Sequence, residues 1–181
     1  MRITISGKAG SGKSTIAALL SKNLKLKHYS IGDLMRSIAL DRGMTILKLN
    51  KMAETEKAID LELDSRLKKL GKTKDNFVVD GRLAAFFIPN AEARIFLETD
   101  NRVRAERILK EQREHERSKT LKETIANIKK RENSEKKRYQ KYYGVNYLDK
   151  KLYNCVLDTT KLTPEQCVDK ILIFINRKNS G

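Results

Sequence analysis

The sequence has little of what small secreted proteins and membrane-spanning proteins depend on. Its 181 residues include no tryptophan, two prolines and two cysteines, and no apolar run approaches the ~20 residues that a membrane-spanning helix needs. Cys155 and Cys167 match neither a metal knuckle nor a disulfide framework, so we expect two reduced cysteines that pack in the interior. Since no signal peptide precedes the first predicted strand, we expect a cytoplasmic protein without membrane association.

Acidic residues and histidine are also scarce. Asp and Glu number 23 against 39 Lys and Arg, which gives a net charge of +16. Such a charge attracts polyanions of any kind, so nucleic acid, anionic membrane and nucleotides all remain possible partners on this ground alone. His28 and His115 are solitary in the sequence, and we assign neither a functional role. The length suits a single domain over 1–181.

What the sequence does have is a phosphate-binding loop near its start. A predicted strand over 2–6 is followed by a segment of the form G-x-x-x-x-G-K-[ST] and then by an amphipathic helix, which is the order that such a loop requires. Lys13 is expected to contact the β and γ phosphates of ATP, and Ser14 to ligate Mg²⁺. The expected ATP-binding residues are Gly7, Lys8, Ala9, Gly10, Ser11, Gly12, Lys13, Ser14 and Thr15.

Apolar strand-like segments alternate with helical periodicity along the rest of the chain. The predicted strands are 2–6, 27–29, 77–80, 93–97 and 154–158. This alternation predicts an α/β fold of the P-loop NTPase type, in which a doubly wound parallel sheet of five strands has helices on both faces. Asp80 ends one strand at the edge where ligands bind in such sheets, so it is expected to hold Mg²⁺ through water, although Asp-Gly is also an ordinary strand-end turn.

Two predicted helical segments carry charged residues with two interpretations each. Asp33 fits a helix cap, and Arg36 either reaches toward the strand ends or is an ordinary surface arginine. On the next long helix, predicted over 58–70, Asp60 and Asp64 share a face. These carboxylates either balance charge or accept hydrogen bonds from a ribose or an exocyclic amine. Gly71 to Asn76 reads as a polar turn.

The stretch 101–142 is unusually basic and poor in large apolar residues. It holds 15 Lys and Arg against 7 Asp and Glu. Two charged helices with little to bury would be loosely held, as a hinged lid must be. A solvated helical pair or an RNA-binding segment are the alternatives, but the stretch has no aromatic residue before Tyr139, whereas single-strand binders usually supply stacking rings.

Several motifs together resemble the nucleoside monophosphate kinases, and within them the archaeal type of cytidylate kinase, over essentially the whole chain. Besides the phosphate loop they are Ser30-x-Gly32-Asp33-x-x-Arg36, Ile59-Asp60-x-Glu62-Leu63-Asp64-x-Arg66, Asp80-Gly81-Arg82-Leu83, Val103-Arg104-Ala105-Glu106-Arg107-Ile108 and Arg131-Glu132-x-Ser134-Glu135-x-x-Arg138-Tyr139. One departure concerns the base: bacterial relatives carry an aspartate that helps to recognise cytosine where this chain has Leu83.

The resemblance implies a core over 1–30, 71–100 and 152–181, a monophosphate-binding helical region over 31–70 and a helical lid over 101–151. It implies that Leu162 borders the adenine of ATP and that the catalytic residues are Lys13, Arg131 and Arg138. The implied acceptor-binding residues are Ser30, Asp33, Arg36, Asp60, Asp64, Arg66, Arg82 and Glu135.

The activity implied by the resemblance is transfer of a phosphoryl group from ATP to CMP or dCMP with Mg²⁺, by a monomer that binds no specific nucleic acid. Adenylate kinase and the small-metabolite kinases share the loop and the sheet, so they remain alternatives. An RNA-binding protein that uses the loop for regulation is a further alternative, from a different functional class.

Overall fold

A computed structural model of the protein describes residues 1–111 and 120–179, with side chains up to residue 177. Five parallel strands form one sheet in the order β2-β3-β1-β4-β5. Their bounds are β1 (Arg2–Gly7), β2 (Lys27–Ser30), β3 (Phe77–Asp80), β4 (Ala93–Glu98) and β5 (Cys155–Asp158). All carboxyl ends therefore lie at one edge of the sheet, with β1 and the phosphate loop at its centre.

Helices connect the strands and cover both faces of the sheet, which confirms the predicted fold class. They are α1 (Lys13–Leu24), α2 (Ile31–Asp41), α3 (Ile46–Met52), α4 (Lys57–Thr73), α5 (Ala84–Phe87), α6 (Asn101–Lys110), α7 (Leu121–Tyr143) and α8 (Pro164–Asn179), with a 3₁₀ turn at Lys150–Leu152. No described helix is long and apolar enough to span a bilayer.

The core divides into two layers because successive strand residues point to opposite faces. Val78 packs in the cluster that α1 and α8 cover, together with Ile3 and Ile5 of the central strand. Its neighbours Phe77 and Val79 pack in a second cluster, beneath α4 and α5. Each layer buries β-branched and aromatic side chains of the kind that favour strands, and together they fix the sheet edge on which the phosphate loop is built.

Two helix ends differ from their predictions. The N-cap of α2 is Ser30, whose Oγ accepts a hydrogen bond from the Asp33 N–H at 3.3 Å, so Asp33 lies in the first turn and is not itself the cap. The polar turn predicted from Gly71 is wrong at its start, because α4 continues to Thr73. Gly71 stays helical where the helix packs closely on α5: a Cβ there would lie 3.0 Å from Ile88 Cγ1.

The two cysteines are free, with Cys167 buried and Cys155 partly buried, as predicted. The basic segment differs more from its prediction. His115 lies outside the described residues, and so does the chain between α6 and α7 over 112–119. Helix α7 buries one of its faces against α3 and α6, which its scarcity of large apolar residues did not predict. The buried residues of that face are Thr124, Ile128, Arg131, Ser134, Glu135, Arg138 and Tyr139.

Candidate active site

The phosphate loop has the backbone that an anion site needs. Gly10 and Gly12 have φ of +76° and +85°, in the left-handed region that residues with a Cβ rarely adopt. A Cβ at Gly10 would also lie 2.5 Å from the Arg104 carbonyl oxygen, so the loop passes close to α6. Helix α1 begins at Lys13 with no side-chain cap. Its first N–H groups are therefore available to a phosphate.

Lys13 is folded back over this loop. Its Nζ donates a hydrogen bond to the Lys8 carbonyl oxygen at 2.8 Å, and the side chain is almost fully buried. Burial lowers the pKa of Lys13 well below its ordinary value, and the nearby charge of Arg82 lowers it further, while Asp80 acts in the opposite direction. An ammonium in such surroundings is stabilised by any anion that enters the loop.

Asp80, at the end of β3, is the centre of a polar group beside the loop. Ser14 Oγ and Ser30 Oγ each lie 3.3 Å from Asp80 Oδ2, and His28 Nε2 lies 2.7 Å from Asp80 Oδ1. Hydroxyl and carboxylate oxygens are the donors that Mg²⁺ prefers, so Ser14 and Asp80 fit the ion expected from the sequence. The described residues hold no cluster of three or more His, Cys, Asp or Glu for a metal. Phosphate oxygens and water would therefore have to complete the coordination.

His28, to which the sequence assigned no functional role, contacts the Asp80 carboxylate in the structure. A signal for this contact was present in the sequence. His28 and Ser30 are two residues apart in a strand, so both point to one face, and Ser30 is the register partner of Asp80.

A compact group of ions faces the loop from Gly81-Arg82 and α7. Glu135 accepts hydrogen bonds from Arg82 Nε and, at 3.0 Å, from Arg131 Nε. Burial by itself would raise the pKa of Glu135, but Arg82 and Arg131 more than offset it and hold that pKa below its usual value. For Arg82, burial by itself would lower the pKa, but the negative charge of Glu135 more than offsets this effect and raises the pKa above its usual value. Arg82 and Glu135 therefore form a buried ion pair, and both line the cleft beside the phosphate loop, as does Arg131.

A second polar group joins α7 to α3 and α4. Arg138 Nη1 donates to Asp60 Oδ1 at 3.1 Å, and Arg138 Nη2 donates to Asn50 Oδ1 at 2.9 Å. Ser134 Oγ donates to the Asn50 carbonyl oxygen at 2.9 Å. The sequence did not indicate Asn50, because nothing in it shows that an asparagine on a short helix contacts residues 84 and 88 positions away. The end of α7 is thus hydrogen-bonded to α3 and α4.

One cleft collects most of the residues that the sequence singled out. Those lining it are Ala9, Gly10, Gly12, Lys13, Ser14, Thr15, Arg36, Asp60, Asp80, Arg82, Arg131, Glu135 and Arg138, together with Asn50, Met35, Leu63 and Tyr139. The phosphate loop and four arginines therefore border the same space.

Four predicted acceptor-binding residues do not line this cleft. Ser30 caps α2, and Asp33 is largely exposed and pairs with Arg36. Asp64 is buried, but its Oδ2 accepts a hydrogen bond from the Tyr143 hydroxyl. Arg66 is exposed and pairs with Glu62 at 3.1 Å, one helical turn away. The position of Arg66 on the outer face of α4 corresponds to the ordinary surface pair that its i, i+4 spacing allows.

Comparison with solved structures shows the fold. An uncharacterized protein from Eubacterium ventriosum matches with a TM-score of 0.72 at 18% identity, over 97% of this chain and 98% of that one. Shikimate kinase from Aquifex aeolicus matches with a TM-score of 0.60 at 21% identity, over 99% and 98% of the two chains. At these identities the likeness concerns the fold alone.

Comparison of sequences shows the family. A protein named cytidylate kinase from Natronomonas pharaonis is 40% identical over 166 residues, which cover 91% of this chain and 84% of that protein. Another of the same name, from Sulfolobus acidocaldarius, is 38% identical over 180 residues, covering 99% and 96%. The sequence model of the cytidylate kinase-like family matches residues 2–161. The chain belongs to the cytidylate kinase-like family.

Proposed function

We propose that this protein transfers the γ-phosphoryl group of ATP to CMP, and also to dCMP, giving ADP and the corresponding diphosphate. The observation that carries the proposal is the single cleft bordered both by the phosphate loop and by Arg36, Arg82 and Arg131. Relatives named cytidylate kinase, at 40% and 38% identity, support the choice of acceptor.

The donor half of the cleft suits a triphosphate. Backbone N–H groups of the loop and of the first turn of α1 would bind the phosphate oxygens. Lys13 would exchange its contact with the Lys8 carbonyl for a contact with the β and γ phosphates. Ser14 and Asp80 would hold Mg²⁺, which supplies charge neutralisation to the transferring group when bound.

The acceptor half needs positioning more than proton transfer. A monophosphate is already anionic at neutral pH, so no strong general base is required for in-line attack. Arg36 and Arg82 would hold that phosphate, and Arg131 would neutralise the charge that develops as the phosphoryl group passes across. Because Glu135 holds Arg82 and Arg131 together before any ligand arrives, little rearrangement is needed when the phosphate enters.

Helix α7 would also limit the access of water, which otherwise competes with the acceptor as a nucleophile. It is held over the cleft by Ser134 and by Tyr142, whose hydroxyl lies 3.0 Å from the carbonyl oxygens of Ala53 and Glu54. Because one chain supplies all the residues invoked here, we propose that the enzyme acts as a monomer, in the cytoplasm where ATP and CMP are found.

An acceptor panel tests the proposal. The purified protein is given ATP and Mg²⁺ with AMP, CMP, dCMP, UMP or shikimate in turn, and release of ADP is measured. We expect CMP and dCMP to give the highest kcat/KM, with Lys13→Ala as the control for background hydrolysis. A clear preference for AMP or shikimate, or ADP release that does not depend on the acceptor, contradicts the proposal.

A further inference from the structure

Asp60 has a feature that its neighbours in the cleft do not explain. Its Oδ2 is buried and has no hydrogen-bond partner among the residues that the structure describes. Buried side-chain oxygens in folded proteins nearly always have a partner, so a vacant one in a ligand-binding cleft indicates a group that is missing from the ligand-free protein.

The vacancy results from the way in which Arg138 is shared. Its Nη1 donates to Asp60 Oδ1 and its Nη2 donates to Asn50 Oδ1, so the guanidinium does not engage both oxygens of the carboxylate. Asn50 thereby fixes Arg138 in a position that leaves Asp60 Oδ2 without a partner. The arrangement neutralises the buried carboxylate and still keeps one acceptor for another group.

Asp64, one turn further along α4, provides a comparison within the same helix. It shares a face with Asp60 and is similarly buried, but its Oδ2 accepts from the Tyr143 hydroxyl and its side chain does not line the cleft. Only Asp60 of this pair therefore combines a vacant oxygen with a place in the cleft wall.

The charge of Asp60 defines what it can bind. Burial raises its pKa to about 6, against the opposing effect of Arg138. At neutral pH the carboxylate is thus mostly ionised and can only accept hydrogen bonds. A ligand group that donates a hydrogen bond is stabilised at Oδ2, whereas a carbonyl oxygen is repelled.

The surroundings of Asp60 suit a flat, partly apolar ligand group. Met35, Leu63 and Tyr139 line the same cleft, and apolar walls with a few polar groups at one edge are the usual form of such a pocket. The pyrimidine bases differ at one edge: cytosine carries an amine donor at the position where uracil carries a carbonyl acceptor.

We propose that Asp60 recognises the base of the acceptor, with Oδ2 accepting a hydrogen bond from the exocyclic amine of cytosine and excluding the carbonyl oxygen of uracil. The inference rests on the proposed function and assigns a residue to its base preference. In this chain Leu83 follows Arg82, so the selection comes from α4 and not from the segment after β3.

The test is the CMP preference of Asp60→Asn. With its one oxygen toward Arg138, the amide presents its N–H₂ to the base, so the variant donates to the carbonyl of uracil and cannot accept from the amine of cytosine. We expect the ratio of kcat/KM for CMP to that for UMP to fall roughly tenfold to a hundredfold, the usual effect of a hydrogen bond to a charged group. Asp64→Asn is the matched control and should leave this ratio unchanged.

A second measurement uses the unaltered protein. The monophosphate of 2-pyrimidinone riboside, in which hydrogen replaces the amine, should lose a similar factor in kcat/KM relative to CMP. An unchanged ratio in Asp60→Asn, an equal fall in Asp64→Asn, or full use of the amine-free analogue overturns the inference. These results can be distinguished from failure of the proposed function. In that case the wild-type protein itself would not phosphorylate CMP.

Discussion

Replacing Glu135 by glutamine should destabilise the ligand-free protein far more than a surface substitution of the same kind. The Glu135 side chain is 2% exposed and lies between Arg82 and Arg131, whose side chains are 9% and 10% exposed. A neutral amide in its place leaves two guanidinium groups close together, with no full negative charge between them. The substitution is nearly isosteric, so its effect reports mainly on charge.

The size of the effect follows from the burial of the group. Removing one member of a buried ion pair costs about 3–5 kcal/mol. Because both arginines border the cleft and can gain water there, we expect about 2–3 kcal/mol, or roughly 4–12 °C in Tm for a chain of this size. The control is Glu62→Gln, in an exposed i, i+4 pair with Arg66, which should cost no more than about 0.5 kcal/mol.

The pH dependence identifies the cause. The folded-state pKa of Glu135 is lowered, so its stabilisation is fully present above the unfolded pKa of about 4.3 and is lost as the pH falls through the folded pKa. Urea unfolding followed by circular dichroism should show that the variant has a lower free energy of unfolding than the wild type. This deficit should be constant above about pH 5 and should become smaller in more acidic buffer. At pH 7, added phosphate should also reduce the stability deficit of the variant. A deficit no larger than that of Glu62→Gln, or one insensitive to both conditions, refutes the reasoning.

Three further predictions concern the phosphate side of the cleft. Lys13→Ala should abolish phosphoryl transfer while the circular dichroism spectrum stays that of the wild type; normal turnover would contradict the assignment. Arg131→Ala should lower kcat much more than it raises KM for ATP, because it acts on developing charge, and a change in KM alone would exclude that role. Gly10→Ala should abolish ATP binding in calorimetry, since its Cβ would meet the Arg104 carbonyl oxygen at 2.5 Å; unchanged affinity would show that the loop tolerates the strain.

The phosphate loop and the sheet could be predicted because their requirements are local. Glycines at 10 and 12 mark positive φ directly in the sequence, and a strand of this buried sheet is a short apolar run such as Phe77–Asp80. Parallel strands then bring their carboxyl ends to one edge whatever their order in the sheet. The placement of Asp80 near Ser14 therefore needed no knowledge of side-chain contacts.

The interior of α7 could not be predicted in the same way. A helix rich in Lys, Arg and Glu has the composition of a solvated surface, and the sequence does not state that Arg138 meets Asp60 or that Glu135 meets Arg82. Those partners lie 78 and 53 residues away along the chain. Charged side chains are buried here because each finds an opposite charge on another element, and such pairing depends on the tertiary fold.

Spacing within α7 explains how one helix can serve both halves of the cleft. Arg131, Glu135 and Arg138 are four and three residues apart, so they lie on one face and move together. Cations concentrated for phosphoryl transfer would repel one another in the ligand-free protein, and Glu135 and Asp60 offset that repulsion until phosphate arrives. Arg138 is tied to Asp60 of α4, and Arg131 lines the cleft beside the phosphate loop, so α7 links the two sides of the cleft through one rigid element.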